Sequence, residues 1–354
     1  MNRTKAFAVL WVALMSGSTL FAQNSDALKF YGDLRLRVER DYNVTGKDTR
    51  DRARYRFRFG LTHKRGDHIE LGARLATGNP TDQQSPHQNF GDDFSAKSFN
   101  LDKIYFKYTC NSGWLWIGKN SFPFWKQNEL FWDDDVTPEG IAGAYRVRDF
   151  AGPGSNLTLT AGQFIIEDFN DLFGSYMTAG QIALHKKTNG VQLSAGAGLY
   201  YFNNKAGDSN SYNALNDLDH NIFVTSVQIK FNAGDVPVTL GGDVMKNLKD
   251  PTVAGLEDET NGFVAQVRIN PGKWTAAAYY THIETFAVIA NFAQDDWWRF
   301  GSGHTNSSNL QGFELRLAYK LADKINLVAR HYVTESIVGN QEANRFRLDL
   351  NVKY

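Results

Sequence analysis

Covalent and metal cross-links can contribute little to this chain, because its 354 residues include a single cysteine, Cys110. One thiol excludes an intramolecular disulfide framework and any multi-cysteine zinc or iron–sulfur site. The formal net charge is +0, with 38 Lys+Arg against 38 Asp+Glu, which removes the strongly basic class of nucleic-acid binders. The 8 histidines form no HExxH pair or comparable spacing, so neither a metal nor a cofactor is expected. Beyond position 22 no apolar run reaches the roughly 18 residues that a transmembrane helix needs. With 42% apolar and 14% aromatic residues the chain is nonetheless too hydrophobic to remain disordered. A soluble globular protein and a β-barrel that crosses a membrane with strands are the two classes left.

The first 22 residues read as a cleaved export signal. Arg3 and Lys5 form a short basic start, Ala6–Met15 is an apolar run of signal length, and Ser16, Gly17, Ser18 and Thr19 lead to Ala22 before the expected cut. No cysteine follows the cut, so no lipid anchor is expected. Removing Arg3 and Lys5 from the 38 basic residues leaves 36 against 38 acidic ones in the mature domain, 23–354.

After that segment the dominant period is two. In the last ten residues Phe346, Leu348, Leu350, Val352 and Tyr354 alternate with Arg345, Arg347, Asp349, Asn351 and Lys353. Leu34, Leu36 and Val38 alternate with Asp33, Arg35, Arg37 and Glu39, and Ala53, Tyr55, Phe57 and Phe59 with Arg52, Arg54, Arg56 and Arg58. One face suits hydrocarbon and the other suits water. Sixteen strands of this kind are expected, starting near residues 28, 52, 68, 100, 113, 140, 155, 177, 190, 221, 236, 261, 273, 310, 324 and 345. Within 113–119, Trp114 and Trp116 compete with Leu115 and Ile117 for the apolar face, and the pattern does not choose between them.

The connections alternate in length. Turn formers fill short links such as Lys187-Thr188-Asn189-Gly190 and Asn232-Ala233-Gly234-Asp235, while longer stretches run over 77–99, 120–139, 166–176, 203–220, 248–260, 285–309 and 335–344. This asymmetry fits an all-β, antiparallel up-and-down transmembrane barrel with short periplasmic turns and long outer loops. An open sheet in lipid would leave backbone groups unpaired, so the sheet must close, and about 16 strands enclose an aqueous lumen. A mid-membrane arginine turned toward lipid would cost roughly 2–4 kcal/mol, so the Arg54, Arg56 and Arg58 row points inward. Strands near 28, 52 and 68 are sequential, which gathers Arg35, Arg37, Arg54, Arg56, Arg58 and Arg74 into one basic patch on the lumen wall. Tyr108, Trp274, Tyr319 and Tyr354, near strand ends, suit interfacial girdles.

Several short motifs occur in order: Tyr31-Gly32-Asp33-Leu34-Arg35-Leu36-Arg37, Arg54-Tyr55-Arg56-Phe57-Arg58, Arg74-Leu75-Ala76-Thr77-Gly78, Gly118-Lys119-Asn120, and Trp132-Asp133-Asp134-Asp135 ahead of Pro138-Glu139-Gly140. In order and spacing the chain resembles the putative porin family of Gram-negative outer membranes, most strongly from about 28 to 145, with Ala290-Asn291-Phe292 and the closing strand as later echoes. The resemblance implies a 16-stranded general porin in outer-membrane lipid, and porins of that size are commonly homotrimers. It also implies that Phe346, Leu348, Leu350, Val352 and Tyr354 form the C-terminal signal read by the barrel assembly machinery. A third outer loop folded into the channel is implied too; here that is 120–139, carrying Glu129, Asp133, Asp134, Asp135 and Glu139. The run Phe122-Pro123-Phe124-Trp125 departs from the family in being more aromatic.

The expected function is therefore a channel for passive diffusion of small hydrophilic solutes, with the arginine patch facing the loop acids across a transverse field and a weak anion preference. The alternative is a substrate-selective channel for a saccharide or an anion, in which Trp125, Trp132, Trp297 and Trp298 line the path. No enzyme is expected: the only local grouping is His304 near Ser302 and Ser307, with no acid placed beside it.

Overall fold

In a computed structural model of the protein, the described residues are 28–91, 93–167, 174–203, 220–251, 253–300 and 308–354. The expected signal at 1–22 and the Ser302, His304 and Ser307 grouping lie outside them. Every element among the described residues is a strand: β1 Leu28–Tyr42, β2 Arg50–Arg65, β3 Ile69–Thr77, β4 Gln88–Asn89, β5 Phe99–Cys110, β6 Gly113–Lys119, β7 Glu139–Arg148, β8 Ser155–Glu167 and β9 Ser175–Thr188. The chain continues through β10 Val191–Asn203, β11 His220–Ala233, β12 Val236–Asn247, β13 Asn261–Ile269, β14 Trp274–Ile283, β15 Leu310–Ala322, β16 Ile325–Glu335 and β17 Glu342–Lys353.

Each long strand pairs antiparallel with its neighbours in sequence, and β17 returns to pair with β1 from Asp33↔Lys353 to Tyr42↔Asn344. That last ladder closes a barrel of 16 strands and leaves no edge. The short β4 is not one of the 16. β3 pairs with β2 only from Arg65 up to Arg58, so the upper part of β2 would carry bare backbone groups. β4 fills that gap against Arg54 and Tyr55, and the Phe57 N–H donates to Thr77 Oγ1.

Connections of two to six residues join β2 to β3, β5 to β6, β7 to β8, β9 to β10, β11 to β12, β13 to β14 and β15 to β16. The tightest include Asn189-Gly190, both at positive φ (45° and 80°), the geometry a two-residue hairpin favours. The opposite rim carries longer connections, of which four matter below: L1 (43–49), L2 (78–98, containing β4), L3 (120–138) and L7 (284–309).

Alternation sorts the side chains as the sequence pattern predicts. Leu36 and Val38 face outward, 40% and 52% exposed, while Arg37 and Glu39 between them face inward and are buried. The ambiguity in β6 resolves with Leu115 and Ile117 outward and Trp116 inward against Phe164. Tyr108, Trp274, Tyr319 and Tyr354 all lie at the short-turn end of the barrel, with Trp274 and Tyr319 in contact at 4.6 Å between ring centroids.

The interior is not uniformly polar. Around β6 to β11 the inward rows carry a cluster of apolar side chains: Trp116, Phe164, Met177, Tyr200, Phe202 and Ile222. L3 lays Phe122, Phe124, Phe131 and Trp132 onto them, with Phe122 stacked on Trp132 at 4.4 Å and the Phe131 ring tilted against Tyr200 at 4.7 Å. L7 adds Val288, Ile289 and Phe292, whose ring stacks on Trp132 at 5.2 Å. The aromatic run at Phe122-Pro123-Phe124-Trp125 is thus an anchor that seats the loop inside the barrel, and one side of the lumen is a hydrophobic core.

Truncating Trp132 should loosen both loops. Trp132→Ala is expected to weaken the seat by about 3–5 kcal/mol and to raise single-channel conductance, while heat-modifiable gel mobility shows the barrel still folded. Unchanged conductance would mean that the loops are held elsewhere.

Candidate functional site: the charged half of the lumen

Opposite the apolar half, β15 to β17 and β1 to β3 turn arginines inward. Arg35, Arg37, Arg54, Arg56, Arg58 and Arg74 lie on the inward rows of β1, β2 and β3. Register sets Arg35 directly opposite Arg56 and Arg37 opposite Arg54, like charges that repel unless carboxylates intervene. The carboxylates are there. Asp33 takes Arg56 at 2.9 Å and Arg58 at 2.7 Å; Asp349 takes Arg37 at 2.6 and 3.1 Å; Asp102 takes Arg74. Higher on the wall Glu39 accepts from Arg52 and Arg347, and Asp41 from Arg345 at 2.6 Å and Arg50 at 2.8 Å. Arg35 and Arg54 hydrogen-bond neutral oxygens instead, Asn351 Oδ1 at 2.7 Å and Ser85 Oγ at 3.1 Å.

L3 crosses the lumen between these halves. Its Trp125 N–H donates to Gln181 Oε1 of β9, and Gln181 Nε2 donates back to the Trp125 carbonyl, both at 2.8 Å. A Cβ on Gly196 would lie 2.9 Å from the Trp125 ring, so glycine in that strand makes room for the loop. Gln127 Nε2 donates to Asp243 Oδ1 of β12 at 2.9 Å, and Gln127 Oε1 accepts from Gln266 of β13 at 2.9 Å. The loop then returns to β2, where Asp135 meets Arg58 at 2.7 Å and Arg56 at 3.3 Å.

The five loop acids therefore have different surroundings. Asp135 is in direct contact with the arginine patch. Asp133 is buried, accepts from the Asp135 N–H at 2.7 Å, and is held well above the usual carboxylate range by burial and by Glu129 and Asp135. Asp134 pairs with Lys126 at 2.5 Å, and Glu139, the first residue of β7, pairs with Lys119 at 2.8 Å on an exposed stretch. Glu129 faces Asp134 and Asp296; burial, then Asp296 and Asp134, push it up to about 8 against the partial relief from Lys126. Asp133, Asp134 and Asp135 diverge, and among the described residues no group of three or more His, Cys, Asp or Glu is arranged around a metal.

Asp296 of L7 is the residue that the sequence reading missed. Its carboxylate takes Arg330 at 2.6 Å and Arg347, with Arg37 at 3.9 Å, and those guanidinium groups hold it well below the usual range despite burial. The signal was the pair Asp295-Asp296 beside Trp297-Trp298 in a long outer stretch. L2 locks onto the same loop: Gln84 Nε2 donates to the carbonyls of Ala290 at 2.7 Å and Ala293 at 2.5 Å. The four tryptophans expected along one path have separate surroundings. Trp132 and Trp297 are buried, the latter against Tyr332; Trp298 lies under Lys47, Arg50 and Arg345; Trp125 sits edge-on to His185.

A family model described as putative porin matches residues 41–269 and 253–354. The chain belongs to the putative porin family. Its fold is shared with OmpF of Salmonella typhi at 10% identity and a TM-score of 0.58, covering 92% of this chain and 97% of that one. OmpTdeltaL8, a loop-deletion mutant of the Vibrio cholerae outer membrane protein OmpT, matches at 13% identity and 0.52, covering 93% and 99%. A triple mutant of the Rhodopseudomonas blastica porin matches at 13% identity and 0.50, covering 93% and 100%. No curated protein sequence matches the chain. The porin is a 16-stranded channel of a Gram-negative outer membrane.

The raised Glu129 carboxyl gives the porin a pH dependence. Between its usual 4.5 and about 8 the folded protein keeps a proton that the unfolded chain releases, so the L3 seat loses stability as pH rises through that window. The groups facing the same cavity, Lys126, Asp134, Asp296, Arg268, Glu314, Arg316 and Arg330, set the background field. Current noise from loop motion should grow toward pH 8 in wild type and less steeply in Glu129→Gln, where the raised Asp133 carboxyl is left; equal profiles would contradict the assignment.

Proposed function

We propose that small hydrophilic solutes pass along the charged half of this porin's lumen, where L3 and L7 carboxylates and the arginine wall set a transverse field that orients them. The observation that supports the reading is the division of the lumen: apolar side chains and loop aromatics occupy one side, so water and ions are left the side lined by Arg35, Arg54, Arg56, Arg58 and Arg74. Arg35 and Arg54 bond neutral oxygens rather than carboxylates, which leaves uncompensated positive charge and favours anions.

The acidic partners differ from a simple face-to-face arrangement. Asp135 bridges Arg56 and Arg58, and Asp296 bridges Arg330 and Arg347, so the acids fasten loops to the wall as well as shaping its field. A substrate-selective channel is the second reading. A cavity of about 280 Å³ between L3 and β13 to β16, lined by Glu129, Arg268, Arg316 and Arg330 among others, has the size of a single solute.

Export by a signal at 1–22 and insertion by the barrel assembly machinery belong to the same proposal, with Phe346, Leu348, Leu350, Val352 and Tyr354 as the assembly signal. The first four face outward on β17, and the Tyr354 hydroxyl donates to the Arg58 carbonyl at 2.8 Å across the closing seam. Assembly as a homotrimer in outer-membrane lipid rests on the resemblance to general porins.

Reversal potentials in planar bilayers under a salt gradient test the reading. Arg54→Ser, which leaves every ion pair intact, should shift selectivity toward cations, and the combined Arg54→Ser, Arg56→Ser and Arg58→Ser variant should shift it further. Unchanged potentials in both would overturn the arginine wall as the selectivity element. Block of wild-type current by one solute class at low concentration would favour the substrate-selective reading.

A further inference from the structure

A second polar chamber lies apart from the meeting of L3 with the wall. It is a cavity of about 270 Å³ near the long-loop rim, enclosed by L1, L2, L7 and the upper parts of β2 and β17. Seven cationic side chains line it: Lys47, Arg50, Arg52, Arg54 and Arg299, with Arg345 and Arg347 from β17. Among the described residues, only Asp82 and Asp295 line it with negative charge.

The wall behind supplies further counter-charge. Glu39 is taken by Arg52 and Arg347, Asp41 by Arg50 and Arg345, and Asp296 by Arg347. Seven cations set against these three acids and the two lining ones leave a surplus of at least two positive charges, because Asp296 is shared with Arg330 and Arg37.

That surplus is not spread evenly. Arg54 is buried, 9% exposed, and bonds only the Ser85 hydroxyl; Arg299 donates to Gln84 Oε1 at 3.1 Å. The Nε atoms of Arg52 and Arg54 are buried with no hydrogen-bond partner among the described residues. A buried guanidinium donor without an acceptor is costly, so these two groups gain most from an anion held close beside them. The Trp298 face, already within 6 Å of Lys47, Arg50 and Arg345, forms one side of the chamber.

We propose that this chamber is a binding site for a small dianion bearing carboxylate or sulfate-type oxygens, held by Arg52, Arg54 and Arg299 before it passes down the lumen. A doubly charged ligand matches the surplus, and its oxygens face the guanidinium groups that line the chamber. A chamber of this size admits an ion as large as a four-carbon dicarboxylate. The site rests on the channel reading only for what happens after capture, since binding itself needs no conduction.

Calorimetric titration of the detergent-solubilised full chain, at constant ionic strength and neutral pH, tests it with succinate and sulfate as dianions and acetate and chloride as monoanions. Saturable binding of at least one dianion, at least about tenfold tighter than either monoanion, is the expected result. Arg54→Gln and Arg299→Gln should each weaken it by about tenfold or more, with heat-modifiable mobility confirming a folded barrel. No saturable dianion binding, equal affinity for monoanions, or affinity unchanged in both variants would overturn the proposal. Bilayer conductance from the same preparation separates the two ideas: open channels without dianion binding sink the site alone, and dianion binding without conductance sinks the channel reading alone.

Discussion

Backbone hydrogen bonding in a medium without water is the constraint on which everything else in this porin depends. Hydrocarbon offers no partner to an N–H or C=O, so a spanning sheet must satisfy every such group within itself. The β1 to β17 ladder meets that demand, and it fixes the rest: sixteen strands of alternating residues, closed on themselves, put one row of each strand into lipid and the other into an enclosed space. Even the local exception follows the same rule, because β4 and Thr77 cover the stretch of β2 that β3 is too short to reach.

Closure creates a lumen wider than wall side chains can fill, and two kinds of physics divide what fills it. On one side, ring-on-ring packing from L3 and L7 removes apolar surface from water as a globular core would. On the other, guanidinium and carboxylate groups interleave so that no arginine faces its opposite neighbour across the ladder without an acid or polar oxygen close by. Removing one partner from such a buried pair strands a charge, which costs far more than the pair contributes. Asp135 and Asp296 are where the two halves join, since each belongs to a loop packed on the apolar side and ends on the basic wall.

How much of this was legible in the sequence depended on whether the two faces of a strand differ chemically. β17 was unambiguous, because Phe346 to Val352 and Arg345 to Asn351 want opposite media. β6 was not: Trp116 faces an aromatic interior while Leu115 and Ile117 face outward, and a pattern with two apolar faces carries no sign. The same cause hid the apolar half of the lumen, although Phe122-Pro123-Phe124-Trp125 stood out as more aromatic than the family norm. The six wall arginines followed from alternation and strand adjacency alone. Asp296 did not, since its partner Arg347 is 51 residues away and the contact exists only once L7 folds inward. Local pattern reads walls well; it reads loops only through composition.

The inward packing of L3 and L7 is the central claim, and amide hydrogen exchange of the folded porin in micelles tests it most directly. The Trp125 N–H bonded to Gln181 and the Asp133 N–H bonded to the Phe292 carbonyl at 2.8 Å should exchange as slowly as amides in the barrel strands. Exchange of both within seconds, at the rate of a solvated loop, would contradict it.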